Sequence, residues 1–209
     1  MRRLALLLFC CSAAAAAAPR VLYSKYFKGS VPEFVAIAVE RSGQATYQEA
    51  KEDENPIRIQ LTASDTQELF DLTDKLDHFQ RPIESGLKVA NMGLKTFVFE
   101  DGSEKHEIQF NYSQDLNAQA LLDWFDRITE TESHFVNLDR TAHYDKLGVN
   151  EVLLQLQITW ERKRLVAPEQ FLPLLDRVAK NESYLHIARE RAAELGDAIR
   201  KAQPAPEKP

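Results

Sequence analysis

Both cysteines of this chain, Cys10 and Cys11, lie within its first eleven residues, and that placement constrains the fold more than any other feature. Every later residue must be held without a disulfide, a thiolate metal site or a thiol nucleophile. Stability therefore rests on buried apolar surface, and about 190 residues suffice for one large core or two small ones.

The segment that holds the cysteines has a pattern of its own. Met1-Arg2-Arg3 precedes an apolar run from Leu4 to Cys11, followed by Ser12 and six alanines ending at Ala18. A positive start, an apolar stretch and a small-residue tail make up an export signal. The apolar run is well short of the ~20 residues of a membrane-spanning helix. The small residues favour signal-peptidase cleavage after Ala18, or after Ala17 because Pro19 is a poor residue just beyond a cut. Phe9 precedes Cys10 and Cys10 precedes Cys11, whereas lipid attachment wants a small residue there. The neighbours of Arg2-Arg3 do not follow a twin-arginine pattern. Residues 1–18 thus read as a signal peptide, and the mature chain as a cysteine-free periplasmic or secreted protein.

The formal net charge is -6, and losing Arg2 and Arg3 makes it two units more negative. Nucleic-acid binding needs a basic face that neutralises phosphates, so this balance argues against it. An anionic membrane surface is disfavoured for the same reason.

Beyond the signal, Phe34–Glu40 is rich in Val, Ile and Ala, Ser42-Gly43 follows, and Thr46-Tyr47-Gln48 resumes an extended pattern, which predicts a hairpin. Ile57 to Leu61 alternates as a half-buried strand does. A helix is predicted from Ser64, with Gln67 completing a capping box, and Leu69, Leu72, Leu76 and Phe79 as its apolar stripe. Residues 80–93 read as a linker. Thr96–Glu100 and His106–Tyr112 flank Asp101-Gly102, a strong hairpin turn. Ser113 or Asp115 then caps a second helix that buries Leu116, Leu121, Trp124, Phe125 and Ile128. The expected fold is α+β: a four- or five-stranded, mainly antiparallel sheet with two helices on one face, in the order ββ(β)α-ββα. From about Glu130 only helical spacing remains, through Leu138, Leu153, Leu175 and Leu195, so a C-terminal helical region of about four helices is predicted. The expected organisation is a signal at 1–18, a sheet domain at 19–130, a helical region at 131–202 and a disordered tail at 203–209.

Motifs for chemistry are scarce. None of His78, His106, His134, His143 and His186 is paired at the spacing of a helical metal clamp. The richest constellation is Glu132, His134, Asp139, His143 and Asp145. Within it Asp139 and His143 are four apart, and on a helix they share a face. His134 and His143 lie nine apart, which turns them to opposite sides. Gly93-Leu94-Lys95-Thr96 lacks the spacing of a phosphate loop, and a strand follows where a helix must begin. Glu52-Asp53-Glu54 lacks the alternation and central glycine of a calcium loop. The one basic cluster, Arg162-Lys163-Arg164, sits where cations favour a helix C-terminus and is also a candidate docking patch. No cofactor motif, nucleophile elbow or dinucleotide fingerprint is present.

The stretch Phe34–Ile128 resembles domains of the emfourin type. The likeness rests on the strands around Ser42-Gly43, the Leu69–Phe79 helix, the strand pair across Asp101-Gly102, and Leu121-Leu122-Asp123-Trp124-Phe125. It covers under half of the chain. The chain departs from that pattern in lacking a Gly-rich first strand, in the extra strand at Ile57–Leu61 and in its helical half. As a whole it also resembles exported bacterial proteins with a helical tail. The resemblance implies inhibition of a secreted metallopeptidase and carries over no site residue. Three functional expectations follow: a non-catalytic exported protein that binds another protein, such an inhibitor, or a hydrolase or metal-dependent enzyme using Glu132–Asp145.

Overall fold

The structure is a computed structural model that describes residues 18–202. The expected signal peptide, apart from Ala18, and the expected tail at 203–209 lie outside the described residues. Six strands, β1 (Arg20–Tyr26), β2 (Phe34–Glu40), β3 (Gln44–Gln48), β4 (Ile57–Gln60), β5 (Leu94–Asp101) and β6 (Glu104–Phe110), form one antiparallel sheet in the order β4-β3-β2-β1-β5-β6. Helices α1 (Ala63–Lys75) and α2 (Leu116–Tyr144) cover one face, and α3 (Val149–Glu161), α4 (Leu172–Lys180) and α5 (His186–Ala202) complete a helical region.

The α+β class and the two covering helices agree with the expectation, but the sheet has six strands where four or five were expected. The additional strand is β1, which sits at the centre. Its residues alternate, with Val21 and Tyr23 buried under the helices and Leu22 and Ser24 half-buried on the other face. It follows the alanine run directly, and its alternation is only seven residues long, a weak signal on its own.

The covered face stacks residues in cross-strand rows, the unit in which sheets gain stability. The middle row runs Tyr47, Ile37, Tyr23, Phe97 and Ile108, set by the strand registers. Phe125 of α2 stacks on Tyr23 at 4.6 Å, lies 5.9 Å from Phe97, and meets Trp124 edge-on at 5.3 Å. These offset and edge contacts suit aromatic quadrupoles and add to the area they bury.

Helix α1 is capped by Thr62, two residues before the predicted cap Ser64. Thr62, in an extended conformation, accepts a hydrogen bond from Asp65 N at 3.1 Å, while its hydroxyl donates to Asp65 Oδ2 at 2.8 Å. The helix also stops at Lys75, short of the predicted Phe79. Asp77, His78 and Phe79 take φ of 53, 48 and 66, a left-handed turn. Each such residue costs roughly 1–2 kcal/mol. The offset is that Phe79 reaches Phe97 at 5.3 Å in the core and His78 stacks on Phe99 at 4.2 Å.

Asp115 caps α2, accepting from Asn117 N and Ala118 N. The helix then runs 29 residues without a break, through the position where a second element was expected near Glu130. Its first half packs Leu121, Trp124, Phe125 and Ile128 into the sheet core. Its second half packs Leu138 and Ala142 into a second core with Leu153, Phe171, Leu175 and Leu195. We expect Phe125→Ala to cost about 3–5 kcal/mol, read by urea unfolding, because it empties the point where β1, β5 and α2 meet; a loss below ~1 kcal/mol would show that this stack is not the centre of the core.

Candidate functional site

The five residues of the acidic and histidine constellation all belong to α2 or its C-cap, yet each has its own surroundings. Glu132 is fully buried where α2 leaves the sheet, and its Oε1 accepts from Gln170 Nε2 at 2.9 Å. Its Oε2 has no hydrogen-bond partner. Burial pushes the carboxyl up to about 7, against a small opposing effect of the Gln170 bond. His134 Nε2 lies 2.9 Å from Thr159 Oγ1 of α3, and burial lowers its affinity for a proton. Asp139 and His143 do share a face, 3.5 Å apart, and Asp139 also takes Arg177 of α4 at 2.9 Å. Asp145 turns away to accept from Gly148 N at 3.1 Å. Among the described residues no group of three or more His, Cys, Asp or Glu side chains could hold a metal ion. The constellation joins helices to one another, and of its members only Asp139 and His143 touch.

The basic cluster also divides. Arg162 is the C-cap of α3, and Lys163 takes a left-handed φ of 56. That reversal swings Arg164 onto α2, where it pairs with Glu130 at 2.7 Å and Asp123 at 3.1 Å. Beside these pairs Val166 N donates to Thr131 Oγ1 at 3.1 Å, and Gln170 to Glu132. Three successive contacts thus fasten the α3–α4 connection along α2. Arg162 and Lys163 are left exposed.

Two features escaped the sequence reading. The first is Lys95, which faces Lys25 across the β1–β5 pair on the helix-covered side. Lys95 is 4% exposed, and its Nζ donates to Asn111 O at 2.7 Å, Met92 O at 3.1 Å and Gly93 O at 3.2 Å. Burial, and next the neighbouring Lys25 charge, lower its proton affinity, while Asp126 of α2 opposes them. Asp126 is itself raised, chiefly by burial. Because carbonyl oxygens take all three ammonium protons, Lys95 has no lone pair to offer a substrate. It is a tether.

What it tethers is the second feature, the end of the sheet where β1 and β6 finish and β2 and β5 begin. Segment 80–93 has no strand or helix, yet it is fastened throughout. Glu84 accepts from Asn111 N at 2.6 Å, Ser85 N donates to Tyr112 O at 2.9 Å, and Arg81 pairs with Asp115 at 2.6 Å. Asn111 accepts from Met92 N and donates to Ala90 O. The β1–β2 loop is braced by Phe27 N donating to Glu33 O at 2.9 Å, and by the Ser30 hydroxyl, 2.7 Å from both Phe27 O and Pro32 O. The two segments touch at Gly93, whose φ is +90 and whose Cα faces Phe27 so closely that a Cβ would lie 2.8 Å from the Phe27 side chain. Only glycine fits there.

On this braced end the chain exposes large apolar side chains. Val31 is 100% exposed and Leu116 77%, with Leu87, Met92, Leu94 and Tyr26 each about half exposed. Leu116 was expected on the buried side of α2, but as the first residue of that helix it lies beyond the sheet core. Beside them is a small cavity of about 100 Å³ lined by Met92, Phe110, Tyr112, Ala118 and Leu122, with Lys95 at its wall. Large exposed apolar side chains gathered near one braced end are the kind of surface on which partners commonly dock. The sequence signal was present in Val31, Leu87, Val89 and Met92, apolar residues within linker composition. No known protein family and no curated protein matches the chain.

Burial of Glu132 sets a testable pH dependence. Between about 4.5, the ordinary value, and about 7, the folded chain holds a proton that the unfolded chain has lost. Stability should therefore fall as pH rises through that window, by an amount on the order of 3 kcal/mol. We expect Glu132→Gln to remove this slope, raising the melting temperature at pH 8 and changing it little at pH 4.5. Equal shifts at both pH values would show that Glu132 does not titrate there.

Proposed function

We propose that this chain is an exported, non-catalytic protein that binds another protein through the loop end of its sheet. The observation that carries the reading is the braced apolar surface around Val31, Met92 and Leu116. Preorganised loops lose little conformational entropy on binding, so apolar burial there converts efficiently into affinity. The acidic balance fits a protein partner better than a nucleic acid. The export part rests on the N-terminal pattern, and no described helix is long and apolar enough to cross a membrane.

A narrower form of the reading makes the partner a secreted metallopeptidase. It draws on the resemblance of Phe34–Ile128 to emfourin-type domains and on the β1–β2 loop, a short braced segment with a fully exposed Val31 at its tip. The hydrolase reading finds no comparable support, because the residues of Glu132–Asp145 face separate surroundings.

The test places a photo-crosslinking residue at position 31, and in a control at the exposed position 182, in the chain produced by its native host. We expect one dominant protein captured from position 31 and not from 182, and capture lost in Met92→Asp. That variant changes an exposed side chain and should shift stability by no more than ~0.5 kcal/mol. Capture equal at both positions would remove the loop end as the binding surface. If the partner is a peptidase, its activity should fall to zero at equimolar protein, and full activity at excess would end the narrower reading.

A further inference from the structure

We infer that the uncovered face of the sheet docks a second copy of this chain about a two-fold axis parallel to the strands. Helices cover one face only. On the other, the strand registers arrange side chains in three rows that run across all or most of the strands. The central row reads Arg58, Thr46, Ala38, Leu22, Val98 and Glu107, from the β4 edge to the β6 edge. It spans about 24 Å at ordinary strand spacing. A positive charge closes one end, a negative charge closes the other, and nothing charged lies between. Arg58 and Glu107 are both exposed, and neither has an ion-pair partner among the described residues.

That row is complementary to its own reverse. A two-fold axis along the strands, between β1 and β2, brings Arg58 of one copy over Glu107 of the other. It sets Thr46 over Val98 and Ala38 over Leu22, small against large at the centre. The row toward the loop end, Gln48, Ala36, Ser24, Thr96 and Gln109, is uncharged and places Ala36 over Ser24. The row toward the hairpin turns places Glu40 over Arg20, Gln44 over Glu100 and Gln60 over Lys105. No like charges meet in any row. The alternative axis, across the strands through the central row, sets Arg58 on Arg58 and Glu107 on Glu107, which is repulsive. Isologous pairing requires a patch that matches itself in this way. Two shallow depressions of about 530 and 430 Å³, sharing Ala38 and Thr46, give the face room for opposing side chains, and aligned sheet packing is an ordinary way to cover such a face. An axis along the strands also leaves both loop ends pointing the same way, so the dimer presents two apolar ends side by side. The inference stands on the registers and does not depend on what those ends bind.

The test is the oligomeric state of the full chain by sedimentation equilibrium, with circular dichroism to confirm that each variant is folded. We expect a dimer in the unaltered chain. R58E alone and E107R alone each create two like-charge contacts and should weaken it about tenfold. The double variant, and an equimolar mixture of the two single variants, should return to within about threefold of the original, since both restore opposite charges. Ala38→Arg, on the open face, should abolish the dimer while leaving the fold intact. A monomer at every concentration would overturn the inference. So would a dimer indifferent to Ala38→Arg, or one weakened by the single variants and not rescued by mixing them.

Discussion

The molecule depends on one helix serving two cores. Helix α2 is 29 residues long, about 43 Å at the ordinary rise. It is longer than the sheet can cover. Its first half buries Trp124 and Phe125 against β1 and β5, and its second half offers Leu138 and Ala142 to α3, α4 and α5. The helical region is therefore attached by a shared backbone and by hydrogen bonds from the α3–α4 connection. Arg164, Val166 and Gln170 each take a neighbouring position of α2: Glu130, Thr131 and Glu132. Two of these contacts are satisfied polar pairs, but Glu132 is not fully satisfied. Its buried, unpartnered oxygen makes the junction sensitive to pH.

With both helices on one face, the sheet has two sides of different chemistry. The covered side is mainly aromatic and aliphatic; Lys25 and Lys95 lie on it where the core meets the loop end, and His106 lies opposite Phe99 toward the hairpin turn. There, the ammonium of Lys95 replaces water for three carbonyls that the irregular backbone leaves without ladder partners. A buried polar group is tolerated when all its hydrogen bonds are made. This one holds a segment that has no secondary structure of its own. The open side is small and uncharged through its middle, with charges at its margins.

How legible these features were in the sequence differs with their physical origin. The hairpin turns at Gly43 and Gly102 were readable because positive φ selects glycine locally, and both glycines have it. The Asp115 cap and the stripe Leu121–Ile128 were readable for the same reason: capping and helical period are local properties. The termination of α1 was not. Leu76 and Phe79 continue the apolar spacing, but three left-handed residues carry Phe79 into the core by a different route. The constellation from Glu132 to Asp145 was found as a cluster of residue types. Its members separate because a helix distributes neighbours around its axis and each meets a different partner, Gln170, Thr159 or Arg177.

Sequence alone determined the class of the fold, the location of most strands and helices, and the need for a core without disulfides, since periodicity, turn chemistry and cysteine position act over a few residues. Tertiary structure alone decided that Arg20–Tyr26 lies at the centre of the sheet and that α2 does not stop near Glu130. It also decided that Lys95 is enclosed by carbonyls from three positions and that Val31 and Met92 share one end. These outcomes depend on contacts between residues far apart in the chain. Loop closure makes such contacts costly in entropy, so only the assembled core determines which of them form.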